Sequence, residues 1–120
     1  MKTDNVIQEK SYAFALRIVK LYRYLTEEKK EYVLSKQVLR CGTSIGANIE
    51  EGIGGQSKKD FYAKLNIAYK EARETNYWLR ILRDSNYLSA KESKAIIEDC
   101  SEILRIITAI LNTMKTKLNY

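Results

Sequence analysis

SIGANIEEGIGGQSKKDF, residues 44–61, decides how this chain folds. Two readings compete. In one, Gly52, Gly54 and Gly55 precede a lysine-bearing helix start, an arrangement that often holds phosphate. In the other, they form a turn between two helices. A nucleotide-binding phosphate loop needs GxxxxGK[ST] after a strand. Here the string is GIGGQSKK, and what precedes it has helical spacing. A glycine just past a helix end is ordinary C-capping, and Ser57 followed by Asp60 is ordinary N-capping. The stretch therefore reads as helix, glycine turn and capped helix start. Lys58 and Lys59 are left on the new first turn, where an incidental anion could meet them.

Outward from this turn the chain reads as four helices. Helix 2, about 36–51, has Ser35 as its expected cap, Leu34 as a hydrophobic staple, and Val38, Cys41, Ile45, Asn48 and Gly52 inward. Gly42 and Gly46 share a face, and each interior glycine costs about 1 kcal/mol of helix propensity. Close approach of a neighbouring helix would offset that cost. Helix 3, about 58–84, carries Phe61, Leu65, Ala68, Ala72, Thr75, Leu79 and Leu82 at alternating gaps of four and three, the seam of a bundle helix. Helix 1, about 5–25, places Ile7, Phe14, Ile18, Leu21 and Leu25 on one face, with Asp4 or Asn5 as its cap. Helix 4, about 89–118, opens with the capping box Ser89–Glu92 and continues the heptad through Ser93, Ile97, Cys100, Leu104, Ile107, Leu111, Met114 and Leu118. A second row, Ile96, Ile103 and Ile110 with Ile106, reads as surplus apolar surface for another subunit. The expected fold is all-α: a single domain over residues 1–120, an up-down-up-down antiparallel four-helix bundle.

The totals agree. A chain of 120 residues with 45% hydrophobic and 30% charged side chains, no proline and five glycines suits one domain of long helices. The start, MKTDNVIQEK, has an early acid and no long apolar run, so no signal peptide is expected. The longest uncharged stretch near the end, IITAILNTM, is far short of a membrane span, which needs about 20 residues. A cytoplasmic protein without membrane partners is expected. Cys41 and Cys100 lack CxxC spacing and read as buried thiols, a disulfide between them being unneeded.

Chemistry narrows the function. Without histidine the chain lacks the commonest general base and metal ligand, and no serine or cysteine has a histidine to activate it. Glu50/Glu51 and Glu71/Glu74 read as solvated or salt-bridged carboxylates. No catalytic, cofactor or metal site is expected. The net charge is +6, and residues 53–88 hold seven Lys or Arg against four Asp or Glu. Clustered cations point to a polyanion. Lys58, Lys59, Lys70, Arg73, Tyr77 and Arg80 on helix 3, with Lys10, Arg17, Lys20 and Arg23 on helix 1, form the candidate basic surface. Cations interleaved with rings grip phosphates and stack bases. Asn48, with Ser44 and Glu51 nearby, reads as a polar network that fixes helix register.

The run LRCGTSIGANIEEG (39–52) followed by SKKDFYAKLNIAYKEARETNYWL (57–79) resembles the bacterial four-helix bundle family of 23S rRNA intervening-sequence proteins, once labelled S23 ribosomal proteins. Its signature residues here are Ser44, Ile45, Ala47, Asn48, Ile49, Glu51 and Gly52, then Phe61, Leu65, Ile67, Ala68, Glu71, Ala72, Glu74, Trp78 and Leu79. Gly46 stands where many relatives carry proline, which implies a straighter helix 2. The resemblance covers essentially the whole chain and implies a homopentamer forming a barrel. The family is similar to the accessory variability determinant of diversity-generating retroelements, a basic protein that binds nucleic acid and works with a reverse transcriptase. Most members have no established activity. Charge, rows and resemblance together lead to a non-enzymatic, oligomeric RNA- or DNA-binding accessory or chaperone-like protein. The alternative is an adaptor for a protein partner such as a reverse transcriptase.

Overall fold

The computed structural model describes residues 2–118, with side chains from 6 to 117. Four helices follow in order: α1 (Lys2–Glu27), α2 (Leu34–Ile53), α3 (Lys58–Asp84) and α4 (Ala90–Leu118). Among the described residues there is no strand. Each helix packs against its neighbour in sequence, and α4 returns to pack against α1. The molecule measures 46 × 22 × 21 Å, and its long axis is close to the length of the 29-residue α4 at about 1.5 Å per residue. Across α1 and α2, Gln8 meets Glu50, while Ile18 lies beside Gly42. Across α2 and α3, Arg40 meets Glu71 and Glu74, and Glu51 meets Lys64.

The core lies where the apolar faces meet. Ile7, Phe14, Ile18, Leu21 and Leu25 of α1 are all buried, as are Leu65, Ala68, Ala72, Thr75, Leu79 and Leu82 of α3. Two rows differ from expectation. On α2 the inward position is Ile49, and Asn48 is only half-buried. On α4 the buried seam is Ser93, Ile96, Cys100, Ile103, Ile107 and Ile110, at gaps of three, four, three, four and three. The row 96, 103, 110 is therefore core and not surplus. Ile97, Leu104, Leu111 and Met114 are instead half-buried at its flank, with Ile106. An α4 strip does remain incompletely covered, but on the other row.

The glycines of α2 answer to space. A Cβ on Gly42 would lie 2.8 Å from Ile18 Cγ1, and one on Gly46 would lie 3.3 Å from the Ser11 carbonyl oxygen. The expected close approach is that of α1 on α2. At the α2–α3 turn no glycine has a positive φ. Gly54 ends α2 with φ −78°, so left-handed capping is not what this turn uses. Gly52 lets α3 pack closely, since a Cβ there would lie 3.0 Å from Phe61 Cδ1 and 3.1 Å from Lys64 Cβ. The left-handed residue that ends α3 is Asn86 (φ 70°), with Tyr87 N–H donating to Leu82 O at 2.9 Å and Asn86 N–H to Arg83 O at 3.1 Å. Asparagine is the non-glycine residue that best tolerates this conformation.

Caps fix the connections. Ser57 Oγ accepts from Asp60 N–H at 3.1 Å. Ser89 and Glu92 close a reciprocal box, with Ser89 N–H donating to Glu92 Oε1 at 2.8 Å and Glu92 N–H to Ser89 Oγ at 3.0 Å. The expected Ser35 cap of α2 is corrected: Ser35 lies inside the first turn, and its hydroxyl donates to Glu31 O at 2.8 Å. The carboxylate of Glu31 does the capping instead, accepting from the N–H groups of Val33 (3.1 Å), Leu34 (3.0 Å) and Ser35 (2.7 Å). Burial pushes the Glu31 carboxyl up, but those hydrogen bonds outweigh it and hold it below the ordinary value. The expected Asp4/Asn5 cap of α1 is corrected: the helix already runs from Lys2, so both positions lie inside it, and their side chains, like that of Leu118, lie outside the described ones.

Candidate nucleic-acid interface

On α3, Tyr69, Arg73, Asn76 and Arg80 recur at gaps of four, three and four, so they form a single row on one side of the helix. Arg73 Nη1 donates to the Tyr69 hydroxyl at 3.1 Å, and its guanidinium lies 5.8 Å from the centre of that ring. Arg80 Nε donates to Asn76 Oδ1 at 2.9 Å and lies 5.9 Å from the Tyr77 ring centre. Both arginines are thus held in direction by neutral partners, although Arg80 also lies near enough to help lower the Asp84 carboxyl. Opposite them α4 supplies Leu104, Arg105, Thr108, Ala109 and Asn112. Together these residues line a groove of about 530 Å³. Its lining includes three arginines and no carboxylate. Arg105 is exposed and has no hydrogen-bond or ion-pair partner among the described residues.

The other candidate cations divide. Lys10 Nζ lies 3.0 Å from Glu102 Oε1, and Arg17 pairs with Asp99, both across the α1–α4 seam. Exposed pairs of this kind contribute up to about 1 kcal/mol. Their larger effect here is to neutralise two cations expected on the binding surface. Lys20 stays exposed near Arg17, beside a depression that Tyr24 and Glu92 also line. Glu92 is held below the ordinary carboxylate value by the Ser89 N–H and then by the Tyr24 hydroxyl, which donates to it at 3.0 Å. Arg23 and Lys70 are exposed, and so are Lys58 and Lys59 at the first turn of α3. Tyr77 is 50% exposed and packs edge-on against Trp78, with ring centres 5.2 Å apart.

Two of the ten sequence-predicted candidates, Arg73 and Arg80, therefore line the groove. Arg105, Asn76, Tyr69, Thr108 and Asn112 join them unforeseen. Their signal was present: 105, 108 and 112 keep helical spacing on α4, but Arg105 reads from sequence as a charge that suits the helix dipole.

Residues 3–109 match the profile of the 23S rRNA-intervening sequence protein. The chain belongs to that family. A crystal structure of a protein of unknown function from the S23 ribosomal protein family of Bacteroides thetaiotaomicron VPI-5482 is 50% identical. The match covers 92% of this chain and 98% of that one, with a TM-score of 0.89. No curated protein matches.

Most signature residues of this intervening-sequence protein are engaged in packing or pairing, while Ala47 and Ile67 are exposed. Asn48 Nδ2 donates to Ser44 O at 2.9 Å and to Ser44 Oγ at 3.0 Å, closing a local network. Glu51 stands outside that network and pairs with Lys64 at 3.3 Å. Glu71 and Glu74 hold Arg40 of α2, and Trp78 Nε1 donates to Glu74 Oε2 at 2.9 Å. Arg40, unforeseen from sequence, thus ties α2 to α3. The cysteines are buried free thiols. Among the described residues no Cα of α2 comes within 8 Å of one of α4, too far for a Cys41–Cys100 disulfide. Burial pushes both thiols up, Cys100 to about 12, so neither is primed as a nucleophile. No helix among the described residues is long and apolar enough to cross a membrane.

Proposed function

We propose that this protein is a non-enzymatic, oligomeric nucleic-acid-binding accessory protein of chaperone-like character, acting in the cytoplasm through the groove between α3 and α4. The observation that carries this reading is the groove itself: Arg73, Arg80 and Arg105 face a common space, and no carboxylate lines it. Cations held on rings and amides keep their charge for a ligand, and the fixed guanidinium planes suit phosphate oxygens and bases alike. The lining offers charge, amides and a hydroxyl, which are groups that bind.

The helices run alternately up and down in this reading. Support comes from pairs that fall in α4 or α2 as they rise in α1: Lys10–Glu102, Arg17–Asp99 and Tyr24–Glu92, and Gln8–Glu50 with Ile18–Gly42. Five copies form a barrel, in keeping with the half-covered apolar residues Ile97, Leu111 and Met114 on α4, outside the groove lining. Light scattering that finds a stable monomer at micromolar concentration refutes the assembly. Binding to mixed RNA or DNA should weaken steeply as salt rises, because cations on phosphates release counterions. Absence of binding at low salt refutes the function. The same α4 strip favours a second reading, an adaptor for a protein partner such as a reverse transcriptase. A pull-down that still recovers such a partner after nuclease treatment, from a protein that fails to bind nucleic acid, would favour it.

A further inference from the structure

The neutral polar side chains of the groove are as informative as its arginines. Asn76 spends its Oδ1 on Arg80 Nε at 2.9 Å, which fixes the amide and leaves Nδ2 without a partner among the described residues. Thr108, like Thr113 further along α4, differs from the other helical threonines whose side chains are described. Thr26, Thr43, Thr75 and Thr116 each donate their hydroxyl to the carbonyl four residues back, at 2.7 to 3.1 Å. The Thr108 hydroxyl makes no such bond and stands exposed in the groove. The side-chain amide of Asn112 is likewise uncommitted among the described residues. Three neutral groups thus share the groove with three cations, and no carboxylate lines it.

A ligand matched to that lining carries both anions and hydroxyls. A ribose-phosphate chain does so; a deoxyribose chain lacks the 2′-hydroxyl by which proteins tell RNA from DNA. Geometry favours a single strand. Arg73 and Arg80 are two helical turns apart, about 10 Å along the axis, and the groove runs lengthwise between two helices. A volume of about 530 Å³ is that of a pocket for a short segment, and a duplex presents its phosphates on a convex surface too broad to enter. We propose that the α3–α4 groove binds single-stranded RNA in preference to single-stranded DNA, with Arg73, Arg80 and Arg105 on phosphates and Asn76, Thr108 and Asn112 on ribose 2′-hydroxyls. The proposal rests on the nucleic-acid reading above and narrows it to one ligand class.

The test is fluorescence anisotropy on the full chain with labelled strands of roughly 12 nucleotides, RNA and DNA of one sequence with uracil in both, at fixed salt. RNA should bind roughly tenfold more tightly, the effect of one or two added hydrogen bonds. Thr108→Val/Asn112→Leu, shown by circular dichroism to remain helical, should lower that ratio to roughly twofold, Asn76 keeping its share. Arg73→Glu/Arg80→Glu/Arg105→Glu should weaken both strands. Equal wild-type affinities, with the triple variant still weakening both, overturn the RNA preference and leave nucleic-acid binding standing. A triple variant that weakens neither overturns the site itself. A preference left undiminished by the Thr108/Asn112 change overturns the assignment to these side chains. Duplex RNA competing as well as single-stranded RNA overturns the single-strand claim.

Discussion

Between α1 and α2 the helices approach closely, a Cβ on Gly42 lying 2.8 Å from Ile18 and one on Gly46 3.3 Å from the Ser11 backbone. Between α3 and α4 they leave a groove lined by three arginines. The first seam is close, and an added methyl group at Gly42 would collide with Ile18. The second is open, charged and padded by neutral polar groups. One side of the bundle therefore sets how tightly the fold holds, and the other is free to serve a ligand. Substitutions on the two sides should separate stability from binding.

The largest effect should come on the closed side. Gly42→Val pushes a branched side chain against Ile18, where even a lone Cβ would lie 2.8 Å from Cγ1. Overpacking of this kind costs about 3 kcal/mol, a drop in Tm on the order of 10 °C. Thermal unfolding checks it. The comparison breaks if Tm holds, or if the variant stays folded and loses nucleic-acid affinity.

On the open side the expected pattern is the reverse. Arg73→Glu/Arg80→Glu/Arg105→Glu should lower affinity for single-stranded nucleic acid roughly 100-fold, about 2.7 kcal/mol, and flatten the salt dependence. Stability should stay within about 1 kcal/mol, since exposed substitutions away from caps and core cost little. As the matched control, Lys10→Gln/Arg17→Gln removes two cations already neutralised by Glu102 and Asp99. It should change affinity less than about threefold. Equal losses in the two variants would mean that counter-charge does not sort the surface.

The helices were legible because periodicity leaves little choice. Leu65 through Leu82 can bury only one face of a helix, and Ser57–Asp60 and Ser89–Glu92 announce their starts. The seam of α4 was not, because both rows alternate gaps of three and four and both hold large apolar residues. Only the packing of α1 and α3 selects Ile96, Ile103 and Ile110 over Ile97, Leu104 and Leu111. The groove was half legible. Arg73, Tyr77 and Arg80 stand out on one helix, but Arg105 comes from another. Lys10 and Arg17 resemble free cations in sequence because their counter-charges lie 92 and 82 residues away. Glu31 was hidden among the charges of TEEKKE, where nothing in the sequence separates a capping carboxylate from a solvated one.

Glu31 supplies the smallest and most specific expected effect on the closed side. Its two oxygens accept from three backbone N–H groups at the start of α2, the helix that carries Gly42 and Gly46. Glu31→Gln removes the charge and turns one acceptor into a donor facing those N–H groups, at a cost of about 1–2 kcal/mol near neutral pH. The pH dependence follows from the direction of its shift. The folded carboxyl is held below the ordinary 4.5, so the folded state binds the proton less readily than the unfolded chain. The Glu31 contribution is complete above that value and is lost as pH falls from it through the lowered folded value. Urea unfolding of both proteins across this range should show the gap between them closing on the acid side. A gap that stays constant with pH would mean that shape, and not charge, lets Glu31 cap α2. The binding groove should be unaffected either way, since α3 and α4 line it and Glu31 lies at the far seam's helix start.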